Sequence, residues 1–361
     1  MREVPSAELQ SINEGNMREI YRILDANFNR AREALRVAED AGRFALNDPA
    51  ICAMAKNMRS DLCEMLEDMP TTEMLLSRDT PGDIGTEISS PSEPKRKDFC
   101  EVATAALKRL SEALRTIEEY SKIVSPASTF RIERMRYNAY TLEQRLIGKC
   151  MVSERFANVK LYLVITPSLC KGSLREIARQ AIAGGCDAVQ LRAKDLPDAQ
   201  ILAMAAELRE LCDETGKILI INDRADIAAI ACADGLHVGQ QDLPIADVRR
   251  LLRPGAIVGR STHSIDQARA AVMEGADYIA VGPMFPTKTK DRAPVGPGLF
   301  REAAAEIQVP IVPIGGINID NARELVAAGA KCLCVGSAIC SAVDPMKSAS
   351  EIRKLLVAEK Q

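Results

Sequence analysis

Cations, amides and carboxylates recur at one kind of place in the second half of this chain, just past short apolar runs. Gln190-Leu191-Arg192-Ala193-Lys194 closes such a run. In-and-out alternation along a strand puts Gln190, Arg192 and Lys194 on one side. Two cations and an amide gathered there are costly to bury unless an anion fills the site. Arg192 suits forked phosphate contacts and Lys194 a point-charge contact. The next two runs end in Asn222-Asp223-Arg224 and Gly239-Gln240-Gln241-Asp242. On adjacent strands Asp223 and Asp242 would converge. Two carboxylates beside several cations fit one Mg2+ with a diphosphate, because Mg2+ takes one or two carboxylates and lets the substrate supply further oxygens. Acid–base work by the pair is the alternative, and Asp242 alone would also serve as an N-cap for a helix from Ile245.

Hydroxyls and glycines follow the same rule of position. Gly259-Arg260-Ser261-Thr262-His263 offers Ser261 to a phosphate. His263 could act as a general base or simply stand at a helix start, and His237 lies inside an apolar run, in the core or behind the site. Tyr278-Ile279-Ala280-Val281 runs into Gly-Pro-Met-Phe-Pro-Thr-Lys-Thr-Lys, residues 282–290, where Pro283 and Pro286 restrict a loop bearing Thr287, Thr289 and Lys290. An ordinary solvated loop is the plain alternative. Gly315-Gly316 and Gly336-Ser337 let backbone N–H groups approach a phosphate.

These positions need a scaffold that brings strand ends together. From Val159 short apolar runs alternate with helix-sized amphipathic segments, predicting strands at Val159–Ile165, Ala188–Arg192, Ile218–Asn222, Gly235–Val238, Ile257–Arg260, Tyr278–Val281, Ile311–Ile314 and Cys332–Val335. Eight such units over residues 151–361 predict an α/β domain, a (β/α)8 TIM barrel, with its chemistry on loops leaving the strands' carboxyl ends.

Residues 1–150 read as all-α. Leu24, Phe28, Ala31, Leu35 and Ala38 have the spacing of one buried helical face, from Asn16 to about Leu46. Asp48-Pro49 starts a second helix, to about Asp68. After a spacer from Pro70 to Lys97, holding Asp79-Thr80-Pro81-Gly82-Asp83, the pattern Glu33-Ala34-Leu35-Arg36-x-x-Glu39-Asp40 returns as Glu112-Ala113-Leu114-Arg115-x-x-Glu118-Glu119. Met58-Arg59 finds a looser echo in Met135-Arg136. Two helical hairpins predict an internally duplicated bundle. The stripe Asn29, Glu33, Arg36 and Asp40, with its copy Lys108, Glu112, Arg115 and Glu119, is a candidate site or a solvated, ion-paired face.

Composition narrows the classes. A chain of 361 residues, 47% hydrophobic and 27% charged with net charge −3, is an ordinary globular protein without the polycationic pull that would favour nucleic acid or a membrane surface. Eleven scattered cysteines without a CxxC pair predict reduced thiols and a cytoplasmic setting. No apolar run reaches membrane-spanning length. A homo-oligomer is left open.

Together Gln190-Leu191-Arg192-x-Lys194, Asn222-Asp223, His237-x-Gly239-Gln240-x-Asp242, Ser261-x-His263, Gly282-Pro283-x-Phe285-x-Thr287-x-Thr289-Lys290, Gly315-Gly316-Ile317 and Gly336-Ser337 resemble the thiamine-phosphate synthase family, over about Val159 to Lys354. Pro167, where an acid is commoner, and Gly336, in place of a bulkier residue, depart from it. The resemblance implies coupling of hydroxymethylpyrimidine diphosphate with a thiazole phosphate. Arg192, Lys194, Ser261 and Lys290 would act on the diphosphate, and Asp223 and Asp242 on Mg2+. Gln190 and Asn222 would orient the pyrimidine, while Thr287, Thr289, Gly316, Gly336 and Ser337 would hold the thiazole and its phosphate. Arg22-Ile23-x-Asp25-Ala26-Asn27-x-Asn29-Arg30-Ala31-x-Glu33-x-Leu35-Arg36, with Asp79-Thr80-Pro81-Gly82-Asp83, resembles the helical domain fused ahead of some of these synthases. That domain is associated with phosphorylating hydroxymethylpyrimidine phosphate, which implies ATP-Mg and puts Asn29, Glu33, Arg36, Arg115, Asp79 and Asp83 forward. No GxxxxGK[ST] loop places the ATP. The rival reading is a thiazole tautomerase-like barrel using His263, behind a non-catalytic dimerisation or regulatory module.

Overall fold

The computed structural model describes residues 6–84, 95–287 and 293–357, with side chains from residue 16 onward. The chain divides into two compact units, Met1–Ile147 and Gly148–Gln361. Among the described residues no helix is long and apolar enough to cross a membrane. Nine of the eleven cysteines are free thiols.

The first unit is built from α1 (Ser6–Asp40), α2 (Pro49–Glu67), α3 (Thr71–Leu76), α4 (Phe99–Val124) and the start of α5 (Thr129–Ala157). A π-helical turn, Ala41–Ala45, ends α1 earlier than the apolar spacing suggests. Asp48 caps α2, its Oδ1 accepting from the N–H groups of Ala50 and Ile51 at 3.0 and 2.9 Å. The spacer holds α3 because Met74 is buried and anchors it. The duplication is visible in the packing. Ala31, Leu35 and Ala38 on α1 and Leu110, Leu114 and Ile117 on α4 are all buried, where the two helices meet. Each copy also carries the same clasp: Arg59 on α2 pairs with the buried Glu39 at 3.0 Å, and Arg136 on α5 with the buried Glu118 at 2.8 Å.

The second unit is an eight-stranded, all-parallel barrel. Its strands are β1 (Leu161–Ile165), β2 (Ala188–Leu191), β3 (Ile218–Asn222), β4 (Gly235–Val238), β5 (Ile257–Thr262), β6 (Tyr278–Val281), β7 (Ile311–Pro313) and β8 (Leu333–Val335). They run in the order β7-β6-β5-β4-β3-β2-β1-β8, and the bridge Ile314↔Cys334 joins the two ends. The helices between and after them are α6 (Leu174–Ala183), α7 (Asp198–Thr215), α8 (Ala225–Ile230), α9 (Ile245–Leu251), α10 (Ile265–Met273), α11 (Gly296–Glu306), α12 (Ala322–Ala327), α13 (Ser337–Cys340) and α14 (Pro345–Val357). Apolar residues of helices and outer strand faces form one cluster. A second fills the barrel interior, where Val152 and Phe156 from the end of α5 pack with Tyr162 and Tyr278. Gly259 on β5 makes room there: a Cβ at that position would lie 2.1 Å from Cζ of Tyr278.

At the amino ends of the strands three carboxylates repeat one device. Asp187, Asp234 and Asp277 stand directly before β2, β4 and β6, and each accepts backbone N–H groups from the strand before it. Asp187 takes Lys160 at 2.9 Å, Asp234 takes Leu219 at 2.9 Å and Asp277 takes Val258 at 2.8 Å. Each is also ringed by cations: Lys217 and Arg353 at Asp187, Arg209, Arg155 and Arg253 at Asp234, Lys149 and Arg249 at Asp277. Before β8 the place is taken by Cys332.

Candidate active site

The carboxyl ends of the strands bring the candidate residues together in three groups. The first lies above β2, β3 and β4. Lys194 Nζ approaches Asp223 Oδ2 to 2.7 Å, and Asp223 in turn contacts Asp242. Asp223 follows the last residue of β3 with φ +61°, a left-handed conformation rarely taken outside glycine, and its N–H donates to the His237 carbonyl at 2.8 Å. Asp242 accepts from the Gly239 N–H at 2.6 Å and does not cap α9, whose N-cap is Pro244. Burial and the neighbouring Asp242 raise the Asp223 pKa against the pull of Lys194. Burial acts on Asp242 in the same direction, but its contact with Asp223, the Gly239 N–H, Lys194 and Arg260 hold it low. Asp223 is thus the harder of the two to ionise, and a divalent cation between the carboxylates would relieve that opposition. No group of three or more His, Cys, Asp or Glu is gathered for a metal among the described residues. Two carboxylates are enough for Mg2+, which keeps water or substrate oxygens in its remaining positions. The residues present fit that ion.

The second group lines the barrel mouth. Arg192, just past β2, shares one small cavity of about 80 Å³ with Ser261, His263, Thr287, Gly316 and Ser337. Arg192, Lys194, Thr287, Gly316 and Ser337 also line a wider cleft of about 1140 Å³, large enough for two heterocyclic phosphates where the inner cavity is not. Ser261 lies within β5, which runs two residues further than the apolar pattern indicates. Asn222 ends β3 and pairs in register with His237. His263 Nδ1 contacts the Gly282 carbonyl at 2.5 Å. Gly315 and Gly316 have φ +96° and +69°, and a Cβ on Gly316 would stand 2.6 Å from the Pro286 carbonyl oxygen. Glycine there lets the loop after β7 lie against the loop after β6. A Cβ on Gly336 would meet only the Val164 carbonyl oxygen, at 3.4 Å. Thr289 and Lys290 lie outside the described residues.

The third group is polar, buried and unexpected from the sequence. Gln190, Tyr162, Tyr278, His237 and Ser261 are joined by consecutive hydrogen bonds of 2.7–2.9 Å. Two tyrosines on strands otherwise rich in Ile, Val and Ala are the signal that could have found it, because a buried phenol needs a partner.

In the helical unit the candidates separate. Asn29 shares a cavity with Asp25, Arg32, Thr71 and Arg78, and Arg78 is held by Asp25 at 2.5 Å. Glu33 and Arg36 share another with Arg32, Lys56 and Arg59. Arg115 lines neither of these and pairs with Glu118 and Glu119 at 2.6 and 2.8 Å. Asp79 closes a turn by accepting from the Gly82 N–H at 3.0 Å, and Asp83 is exposed beyond it. In the second copy Ser111 and Glu133 stand where the first has Arg32 and Lys56, so the equivalent positions there lack two of the cations.

A parallel barrel with cations, a carboxylate pair and two glycine turns at its mouth defines a phosphate-handling α/β enzyme. The family described as thiamine monophosphate synthase matches residues 161–339, and the ThiD2 family matches residues 22–145. The thiamine-phosphate synthase of Nostoc sp. is 41% identical over 327 residues, covering 90% of this chain and 91% of that protein. The enzyme of the same name from Synechocystis sp. is 40% identical over 334 residues, covering 92% and 95%. The thiamine phosphate pyrophosphorylase structure from Pyrococcus furiosus superposes with TM-score 0.53 at 35% identity, covering 58% of this chain and all of that one. The chain belongs to the thiamine-phosphate synthase family, as a transferase with a ThiD2-type helical region ahead of the barrel.

Proposed function

We propose that the barrel joins hydroxymethylpyrimidine diphosphate to a thiazole phosphate, releasing diphosphate and leaving thiamine phosphate. The observation that carries this reading is the carboxylate pair Asp223–Asp242 beside Lys194 and the Arg192 cleft. Asp223 and Asp242 would hold Mg2+, which when bound neutralises charge on the departing diphosphate. Arg192, Lys194, Ser261 and Lys290 would bind the same oxygens, with preorganised positive and hydrogen-bond-donating groups aimed where negative charge develops. Gln190 and Asn222 would orient the pyrimidine as its C–O bond breaks and a methylene cation forms. Thr287, Thr289, Gly316, Gly336 and Ser337 would hold the thiazole phosphate so that the ring nitrogen attacks that carbon. No protein nucleophile is needed. The tautomerase alternative has no use for two converging carboxylates. Substrates of this small, phosphorylated kind favour a cytoplasmic setting.

For the helical unit we infer a kinase step that makes the diphosphate consumed by the barrel, with ATP-Mg as donor. The cationic hollow of Arg32, Arg36, Lys56 and Arg59 supports a phosphate-binding role. Mixing the full chain carrying Asp223→Ala with hydroxymethylpyrimidine phosphate, ATP and Mg2+ tests it, because the diphosphate then accumulates. Product formation by 31P NMR is expected, and its complete absence at high enzyme concentration would remove the kinase assignment while leaving the synthase one standing.

A further inference from the structure

The buried chain of hydrogen bonds inside the barrel has a direction. Gln190 Nε2 lies 2.7 Å from the Tyr162 hydroxyl, which lies 2.9 Å from that of Tyr278. The Tyr278 hydroxyl lies 2.9 Å from His237 Nδ1, and His237 Nε2 lies 2.9 Å from Ser261 Oγ. These five side chains come from β2, β1, β6, β4 and β5, and none is more than 6% exposed. An amide NH2 can only donate, and a neutral phenol has one proton to give. Once Gln190 donates to Tyr162, the Tyr162 proton goes to Tyr278, and the Tyr278 proton goes to Nδ1 of His237. The phenols remain neutral, since burial raises both. His237 is then left with its proton on Nε2, donating to Ser261 Oγ. Ser261, already accepting, turns its own proton toward the cavity it lines with Arg192.

We propose that Gln190 polarises this chain so that His237, as the neutral Nε2–H tautomer, acts as a positioning residue that fixes Ser261 as a hydrogen-bond donor to the substrate anion. In the reverse order Ser261 would spend its proton on His237 and present lone pairs to an anion. A donor held in place before the anion arrives costs no reorganisation when charge develops. That the anion is a diphosphate rests on the synthase reading; the direction of the chain does not.

The protein contains two histidines, which makes the tautomer directly measurable. In the full-length chain labelled with 15N-histidine, long-range proton–nitrogen correlation should give His237 the Nε2–H pattern. His263, whose Nδ1 faces a carbonyl, should give the opposite pattern in the same spectrum. A native His237 carrying its proton on Nδ1, or on both nitrogens, would overturn the proposal. Gln190→Glu replaces the donor by an acceptor, and His237 should switch to the Nδ1–H pattern; an unchanged pattern in the folded variant also counts against it. Tyr278→Phe should lower kcat by about tenfold to a hundredfold, less than the roughly 10²–10³-fold for outright loss of a charge-stabilising donor, with a smaller change in KM. Should that variant not fold, the native spectrum still decides. Nε2–H at His237 in an enzyme without coupling activity would support the chain and sink the synthase reading instead.

Discussion

The two ends of the barrel use the same residue types for different purposes. At the floor, Asp187, Asp234 and Asp277 each accept backbone N–H groups and are ringed by two or more cations. At the mouth, Asp223 and Asp242 face one another and share one lysine. The floor carboxylates are satisfied and hold strands to helices. The mouth carboxylates repel each other until a proton or a cation joins them. Charge balance separates scaffold from site here, since Asp beside Lys or Arg occurs at both ends.

The largest loss of activity should come from the mouth. Asp223→Ala should lower coupling activity by about 10³-fold or more, on the scale of losing a principal charge-stabilising group, with a denaturation midpoint close to native. A fully active variant would remove the metal assignment. At the floor the effects should exchange. Asp277→Asn should cost about 3–5 kcal/mol of stability, because it leaves the buried Lys149 and the half-buried Arg249 without their countercharge, while activity per folded molecule is retained. Equal loss of activity per folded molecule at both ends would erase the distinction. Lys290→Ala should lower turnover by several tens-fold, about the effect of one diphosphate contact, in steady-state assays with stability unchanged.

Acid should find the floor first. Burial opposes ionisation of Asp277, but Arg249, Lys149 and the Val258 N–H outweigh it and hold its pKa below the ordinary 3.8. Asp234 is likewise held low by Arg209 and the Leu219 N–H against its burial. A carboxyl with a depressed folded pKa contributes stability in full above its unfolded pKa and loses it as pH falls through the folded one. Urea midpoints should therefore stay level down to about pH 4 and fall below it. In Asp277→Asn that fall should be shallower; identical slopes would show that Asp277 is not the group titrating.

How much of this was legible follows from the range of each interaction. The change from helical period to short apolar runs at Val159 is local, so the barrel and most strand limits could be read directly. Gly315 and Gly316 were legible as a turn because only glycine adopts such a backbone freely. The left-handed backbone at Asp223 was not, since Asn222-Asp223 looks like any strand end. The floor device was missed because each Asp stands alone in sequence, and its cations arrive from 19 to 166 residues away. The clasps Glu39–Arg59 and Glu118–Arg136 were half legible: the repeat gave the residues, but the exposed stripe drew attention from the buried acids beside it.

One missing methyl group is a working part of this enzyme. The ring of Tyr278 occupies the volume that any side chain at position 259 would claim. That ring carries the hydroxyl between Tyr162 and His237. Gly259→Ala would add one carbon and two hydrogens, yet it would evict the tyrosine on which the serine's orientation depends. A survey of contact residues would pass over position 259, because its contribution is space kept empty for another residue's ring.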